Sequence, residues 1–182
     1  MKKLFGYLKD LIVHKWWVFY YCCKFGIPLR GLTHDLSKLS PSELFENVKY
    51  YNGQQSPIVN CKEKNGYSKA WLHHRGHNKH HYEYWCDQLD EGGRALIMPL
   101  TDTLEMLADY LAAGRTYDKK EFSYAYEYNW WMTRREKPMA MHIVQKIFIS
   151  HSLYNFMVQD KLCSKKELKT FYNQILETYN EH

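Results

Sequence analysis

The chain has no CxxC pair, no internal repeat and no segment with convincing strand alternation. It also lacks any run of about 18 uninterrupted apolar residues, the length of a membrane span. Each absence excludes something. Five cysteines, an odd number without metal-site spacing, argue against a disulfide framework or a zinc ribbon and for free thiols in a reducing compartment. The N-terminal MKKLFGYLKDLIVHKWWVFYYCC opens with lysines and turns apolar, but Lys9, Asp10, His14 and Lys15 interrupt it and no small-residue cleavage site follows. A cytoplasmic location without a membrane partner is therefore expected. Charge of one sign is also scarce, since 25 Lys and Arg against 20 Asp and Glu leave +5. That balance suits an anionic ligand such as a phosphate ester and gives no strong nucleic-acid signal.

What is abundant is hydrophobic and aromatic. At 182 residues, 45% hydrophobic and 16% aromatic, the composition excludes a disordered chain and supports one domain with a real core. Histidine is concentrated: WLHHRGHNKHHYEYW, residues 71–85, holds five of the ten histidines within nine positions. Read as a helix at about 100° per residue, it separates into two stripes. Trp71, His74, Asn78, His81 and Trp85 form one; His73, His77, His80 and Tyr84 form the other. Two imidazoles and an amide between inward-facing tryptophans need partners for their ring nitrogens, and a divalent metal is one such partner. The competing reading is a solvated, histidine-rich helix face.

The periodicity predicts an all-α chain of six to eight helices. Residues 3–25 form a first helix with Leu4, Leu8, Leu11, Val18, Cys22 and Phe25 on one face and His14 among them. Ser40-Pro41-Ser42-Glu43 is read as a capping box opening a helix to about Tyr51. Just before it stand His34-Asp35 and Lys38. Adjacent His and Asp can bind one metal, or bridge two through the carboxylate, and the lysine can meet a phosphate oxygen or protonate a leaving group. Residues 52–66 read as a loop, either a lid or a plain surface connection. The His-rich helix is expected over about 67–89, ending near Glu91-Gly92-Gly93. Pro99 opens a helix to about Ala113, stopped by Gly114. On that helix Asp102, Glu105 and Asp109 oppose a leucine face, which is either a solvated stripe or the carboxylate supply for a metal, Asp109 first and Asp102 second. Residues 117–138 carry Tyr124, Tyr126, Tyr128, Trp130 and Trp131 beside Arg134, Arg135 and Lys137. They suit core packing, or stacking of a base with phosphate contacts. Helices over about 139–159 and from the Ser164/Glu167 capping box to about Tyr179 complete the chain.

Taken together, His14, His34-Asp35-Leu36-Ser37-Lys38, the histidine stretch and the acidic helix resemble the HD-domain metal-dependent phosphohydrolases. The chain is also similar to a bacterial and phage family of unassigned activity. That pattern has an early His near W-x-F, HDLSK with S-P-x-E-F, W-x-x-H then N-x-H-H, and P followed by E-M-x-x-D, here across about residues 10–115. The resemblance implies an HD-like helical bundle with its metal-site core over about 10–115 and C-terminal helices over about 117–182. His14, His34, Asp35 and Asp109 would hold a first divalent ion, and His74 and His81 would hold or share a second, from among Mn, Fe, Zn, Co or Ni. Lys38 would contact phosphate, and Glu105 or His80 would move protons. Asn78, His77 and Arg134 would help bind the substrate, a nucleotide or other small phosphate ester. His34-Asp35-Leu36-Ser37-Lys38 also resembles the central motif of the branch of that superfamily that cleaves cyclic dinucleotides, whose second signature is missing here, and a homo-oligomer is compatible with the sequence. Three rivals stand beside hydrolysis: sequestration of a nucleotide without turnover, di-iron oxygenase chemistry on the same ligands, and a metal-free helical interaction protein.

Overall fold

A computed structural model describes residues 1–87, 94–117 and 121–180. Among these residues the architecture is all-α, with nine α-helices, two 3-10 turns and a single isolated bridge between Cys86 and Ala95. The helices are α1 (Lys2–Lys24), α2 (Pro28–Thr33), α3 (Pro41–Tyr50), α4 (Pro57–Asn65), α5 (Lys69–His77), α6 (Leu100–Tyr117), α7 (Tyr124–Arg135), α8 (Ile143–Gln159) and α9 (Lys165–Asn180). The count exceeds the expected six to eight because the sequence reading passed over two short proline-initiated helices, α2 and α4. Most of the stretch expected as the 52–66 loop is α4, begun by Pro57 at its first turn and closed by Gly66 at φ 80°.

The long α1 packs along α6, and α2 folds back on α1 after the turn at Gly26. A Cβ at Gly31 would meet the Phe19 Cα at 2.8 Å, so glycine is what lets α2 lie this close to α1. The C-terminal half of α1 enters the apolar core, where Val18, Tyr21, Cys22 and Phe25 meet Leu104, Leu107 and Leu111 of α6, Trp131 of α7 and Phe148, Ile149 and Phe156 of α8. Fully burying each such large apolar side chain is worth about 1.5–3 kcal/mol. The N-terminal half of α1 faces α6 across polar side chains instead, with α3 and α5 closing the other side.

α6 departs from the amphipathic reading. Every residue from Asp102 to Ala108 is buried, so the acidic stripe is an interior face and not a solvated one. Gly114 does not stop the helix, which runs on to Tyr117. A Cβ there would lie 1.7 Å from Glu127 Oε1, so glycine serves the close approach of α7. The aromatic segment packs: Trp131 is fully buried and both Trp130 and Trp131 meet Tyr110. At the C-terminus the predicted capping box forms as read, Ser164 N donating to Glu167 at 2.7 Å and Glu167 N to Ser164 Oγ at 3.3 Å.

The His-rich stretch is not one helix. α5 ends at His77, Asn78 leaves the helical region, and a 3-10 turn spans Tyr82–Trp85. The stripes therefore do not exist beyond His77, and Trp71 and Trp85 are only half-buried. The expected end at Glu91-Gly92-Gly93 lies outside the described residues.

Candidate metal centre

Asp35 is the centre of the polar interior. It sits at φ 56°, ψ 26° between α2 and the Leu36–Leu39 3-10 turn. The left-handed region costs a non-glycine residue about 1–2 kcal/mol, and Asp is among the few that visit it. This turn reverses the chain enough to push the 2% exposed carboxylate inward. Its Oδ2 lies 3.2 Å from His34 Nε2, 4.0 Å from His14 Nε2 and 2.5 Å from Lys38 Nζ. Its Oδ1 lies 3.2 Å from His74 Nε2 and 3.4 Å from His80 Nε2. Asp109 adds Oδ1 at 3.0 Å from His14 Nε2 and 3.7 Å from His34 Nε2.

The far sides of His34, His74 and His80 are held by carboxylates. Glu105 Oε1 takes His34 Nδ1 at 2.9 Å and His80 Nδ1 at 3.2 Å. Arg30 anchors Glu105 through Oε2 at 2.6 Å and pairs with Asp102 as well. Glu43 takes His74 Nδ1 and His73 Nδ1, both at 2.8 Å. Ser37 Oγ and Asn78 Nδ2 also stand within 3.2 Å of His74 Nδ1. An imidazole fixed at Nδ1 by a carboxylate presents Nε2 in a set direction with raised basicity. Here the directions converge: Nε2 of His14, His34, His80 and His81 and Oδ1 of Asp35 are buried and make no hydrogen bond. Buried polar atoms without partners are expensive, and several pointing into one space suit a cation. Three overlapping sets have ligand atoms within 4.8 Å of one another: Asp35 with His74, His80 and His81; Asp35 with His14 and His34; and His34 with His80 and Asp109. These buried groups can hold a metal ion.

Charge agrees. Five carboxylates (Asp35, Glu43, Asp102, Glu105, Asp109) face three cations, Lys38 and Arg30 in ion pairs and Lys15 bonded to the His34 carbonyl. With every imidazole neutral, as metal ligation requires, that leaves two negative charges in the interior; in the metal-free protein protonated His34 and His74 balance them. Burial alone would raise the Asp35 carboxyl, but His34, Lys38 and His74 hold it well below its usual value. Against the same burial effect, His34 and His80 bring Glu105 down to about 2, and His14 and His34 hold Asp109 far down. Burial would lower His34, yet Asp35 outweighs it and lifts His34 well above the ordinary imidazole range; His74 is raised in the same way. Burial, reinforced by His80 and His74, leaves His81 well below that range, and burial also lowers His14.

All six sequence-named ligands, His14, His34, Asp35, His74, His81 and Asp109, come together. His80 joins them, although a continuous helix would have turned it onto the other stripe. Glu105, expected to move protons, backs two imidazoles. Lys38 and His14 line a cleft of about 30 Å³ whose other walls include Tyr7, Asn47, Tyr51, Ile58 and Tyr117. Asn78 touches Ser37 and His74, so it positions a histidine. His77 is exposed and bonds only the His73 carbonyl, while Arg134 reaches Tyr82; neither lines the cleft. Glu43 and Arg30 escaped the sequence reading. Glu43 looked like a capping residue, but the Ser40 side chain makes no cap bond and the 0% exposed Glu43 serves histidines instead. No local signal marked Arg30.

A family model described as a family of unknown function (DUF5662) matches residues 3–151, from α1 into α8, and so contains every residue of this cluster. No curated protein and no solved structure matches the chain.

Proposed function

We propose that this chain, which belongs to the DUF5662 family, is a metal-dependent phosphohydrolase of HD-domain type acting on a nucleotide or other small phosphate ester. One observation carries the reading: unpartnered imidazole nitrogens and the Asp35 carboxylate converge from α1, α5, the two turns and α6 on one buried space. His14, His34, Asp35 and Asp109 would hold one divalent ion, and Asp35, His74, His80 and His81 a second. Bound there, Mn, Fe, Zn, Co or Ni would act as a Lewis acid, acidify a water and neutralise charge developing on a phosphoryl group.

The chain's own residues supply the rest. Lys38, its ammonium kept charged by Asp35 against the cost of burial, faces the cleft and would pair with a phosphate oxygen. Glu105 fixes His34 and His80, Glu43 fixes His74, and Arg30 fixes Glu105. The cleft beside Lys38 is narrow, about 30 Å³, with Tyr51, Pro57 and Ile58 on one wall.

The test is phosphate release from nucleoside mono-, di- and triphosphates and simple phosphate esters by protein loaded with Mn²⁺, beside Lys38→Ala. Turnover that falls at least about 100-fold in Lys38→Ala, the lower end of a lost transition-state contact, supports the reading. Tight nucleotide binding without release moves it to sequestration. An iron-dependent visible spectrum with oxygen uptake moves it to oxygenase chemistry.

A further inference from the structure

The net charge of this protein is not spread over the molecule. Residues 1–39 hold seven Lys and Arg against two Asp, a balance of +5, while residues 40–182 hold 18 of each sign and balance to zero. The same unit, α1, α2 and the following 3-10 turn, carries a concentration of exposed large apolar side chains. Phe5, Ile12 and Trp16 on α1 and Leu29, Leu32 and Leu36 after it are each between 53% and 74% exposed. Phe5, Ile12 and Trp16 fall within about 40° of one another around α1, on the side away from α6. Leu29 and Leu32 share a face of α2, and Leu36 opens the 3-10 turn that follows. α2 packs on α1 at Phe19 and Cys22, one turn from Trp16, so Leu29 and Leu32 stand on the helix beside that end of the row.

The charges around them are unbalanced in a particular way. Lys2, Lys3, Lys9 and Lys24 are exposed. The two carboxylates of the unit are occupied: Asp35 is buried, and Asp10 accepts from the Tyr51 hydroxyl at 2.7 Å. The surface is therefore apolar with a lysine border and no free acid. From this we propose that the α1–α2 face is a docking surface for an anionic lipid bilayer, on which α1 lies in the interface plane with Trp16, Ile12 and the leucines inserted and the lysines on headgroups. Spanning is a separate matter, since among the described residues no helix is long and apolar enough to cross a membrane. A second copy of the chain fits less well, because a two-fold contact through this face would bring both sets of exposed lysines together. The inference is independent of the metal reading.

Cosedimentation with vesicles tests it, comparing phosphatidylcholine alone with phosphatidylcholine containing roughly 30% phosphatidylglycerol, at low and high salt. The variants are Trp16→Ser with Leu29→Ser, and Lys9→Glu with Lys24→Glu. All four positions are exposed and outside the metal cluster, and circular dichroism verifies folding. The full chain should bind the anionic vesicles at low salt, and each double variant should lose about tenfold or more in binding. Equal binding to both vesicle types, no binding to either, or unchanged binding in both variants overturns the proposal. Sedimentation equilibrium showing a dimer that Trp16→Ser with Leu29→Ser abolishes would assign the face to a second copy and overturn it as well.

Discussion

Replacing Asp35 by Asn keeps the shape of the side chain and a residue type tolerant of φ 56°, and removes only the charge. In the metal-free protein that charge faces Lys38 Nζ at 2.5 Å and the Nε2 atoms of His34 and His74 at 3.2 Å each. Breaking a buried pair by deleting one partner costs about 3–5 kcal/mol. The Lys38 side chain is 19% exposed, and His34 and His74 can shed their protons, so the lower end, about 3 kcal/mol, applies. For a chain of this size that is a fall in Tm of about 6–12 °C. Asp35→Ala should fall further by about 1–2 kcal/mol, the strain of a left-handed alanine. The assay is thermal melting by circular dichroism after chelator treatment at pH 6.5, with calorimetric Mn²⁺ and Zn²⁺ titration of the same samples. An Asn variant that melts within about 2 °C of the parent, less than 1 kcal/mol, and binds metal as the parent does would refute the assignment of Asp35 as the hub.

Three further outcomes follow from the same geometry. Depressed carboxylates (Asp35, Glu105, Asp109) contribute stability above their unfolded pKa near about 4 and lose it as pH falls through their folded values. Raised imidazoles (His34, His74) contribute fully below about 6.5 and lose it as pH rises through theirs. His14 and His81, held below the ordinary imidazole range, cost stability as pH falls below about 6.5, so metal-free Tm should peak at about pH 6.5, and a flat profile from pH 5 to 9 would contradict this. Arg30→Gln releases Glu105 from its anchor, so metal affinity should drop about 10–100-fold while the ligands remain; isothermal titration measures it, and an unchanged affinity means Arg30 does not position Glu105. Gly114→Ala puts a methyl into the Glu127 carboxylate and should cost about 1–3 kcal/mol in urea unfolding, whereas a neutral result would show that α7 is free to shift.

The legible parts of the sequence were those governed by local periodicity and by chemistry concentrated in short motifs. α1 with His14 on its inner face, the HDLSK turn, α6, α8 and the Ser164/Glu167 cap all lie where spacing put them, within a few residues. The buried cluster was legible because His34-Asp35 and the histidine stretch stand out in composition. Three things depended on contacts made far along the chain. Nothing near Asn78 announces that the helix ends there, which brings His80 beside Asp35 instead of a quarter-turn away. Asp102 and Glu105 look solvated until Arg30, more than seventy residues earlier, supplies their countercharge. Glu43 occupies a capping position with a capping residue's chemistry, and only the packing of α3 on α5 turns it toward His73 and His74.

The most direct test is metal content by plasma mass spectrometry on the purified chain, beside a His34→Ala, Asp35→Ala double variant whose helicity is verified. The Asp35-centred site predicts one or two equivalents of a divalent transition metal in the parent and their loss in the folded variant. No metal in the parent after reconstitution with Mn, Fe, Zn, Co or Ni, or the same content in both proteins, would contradict it.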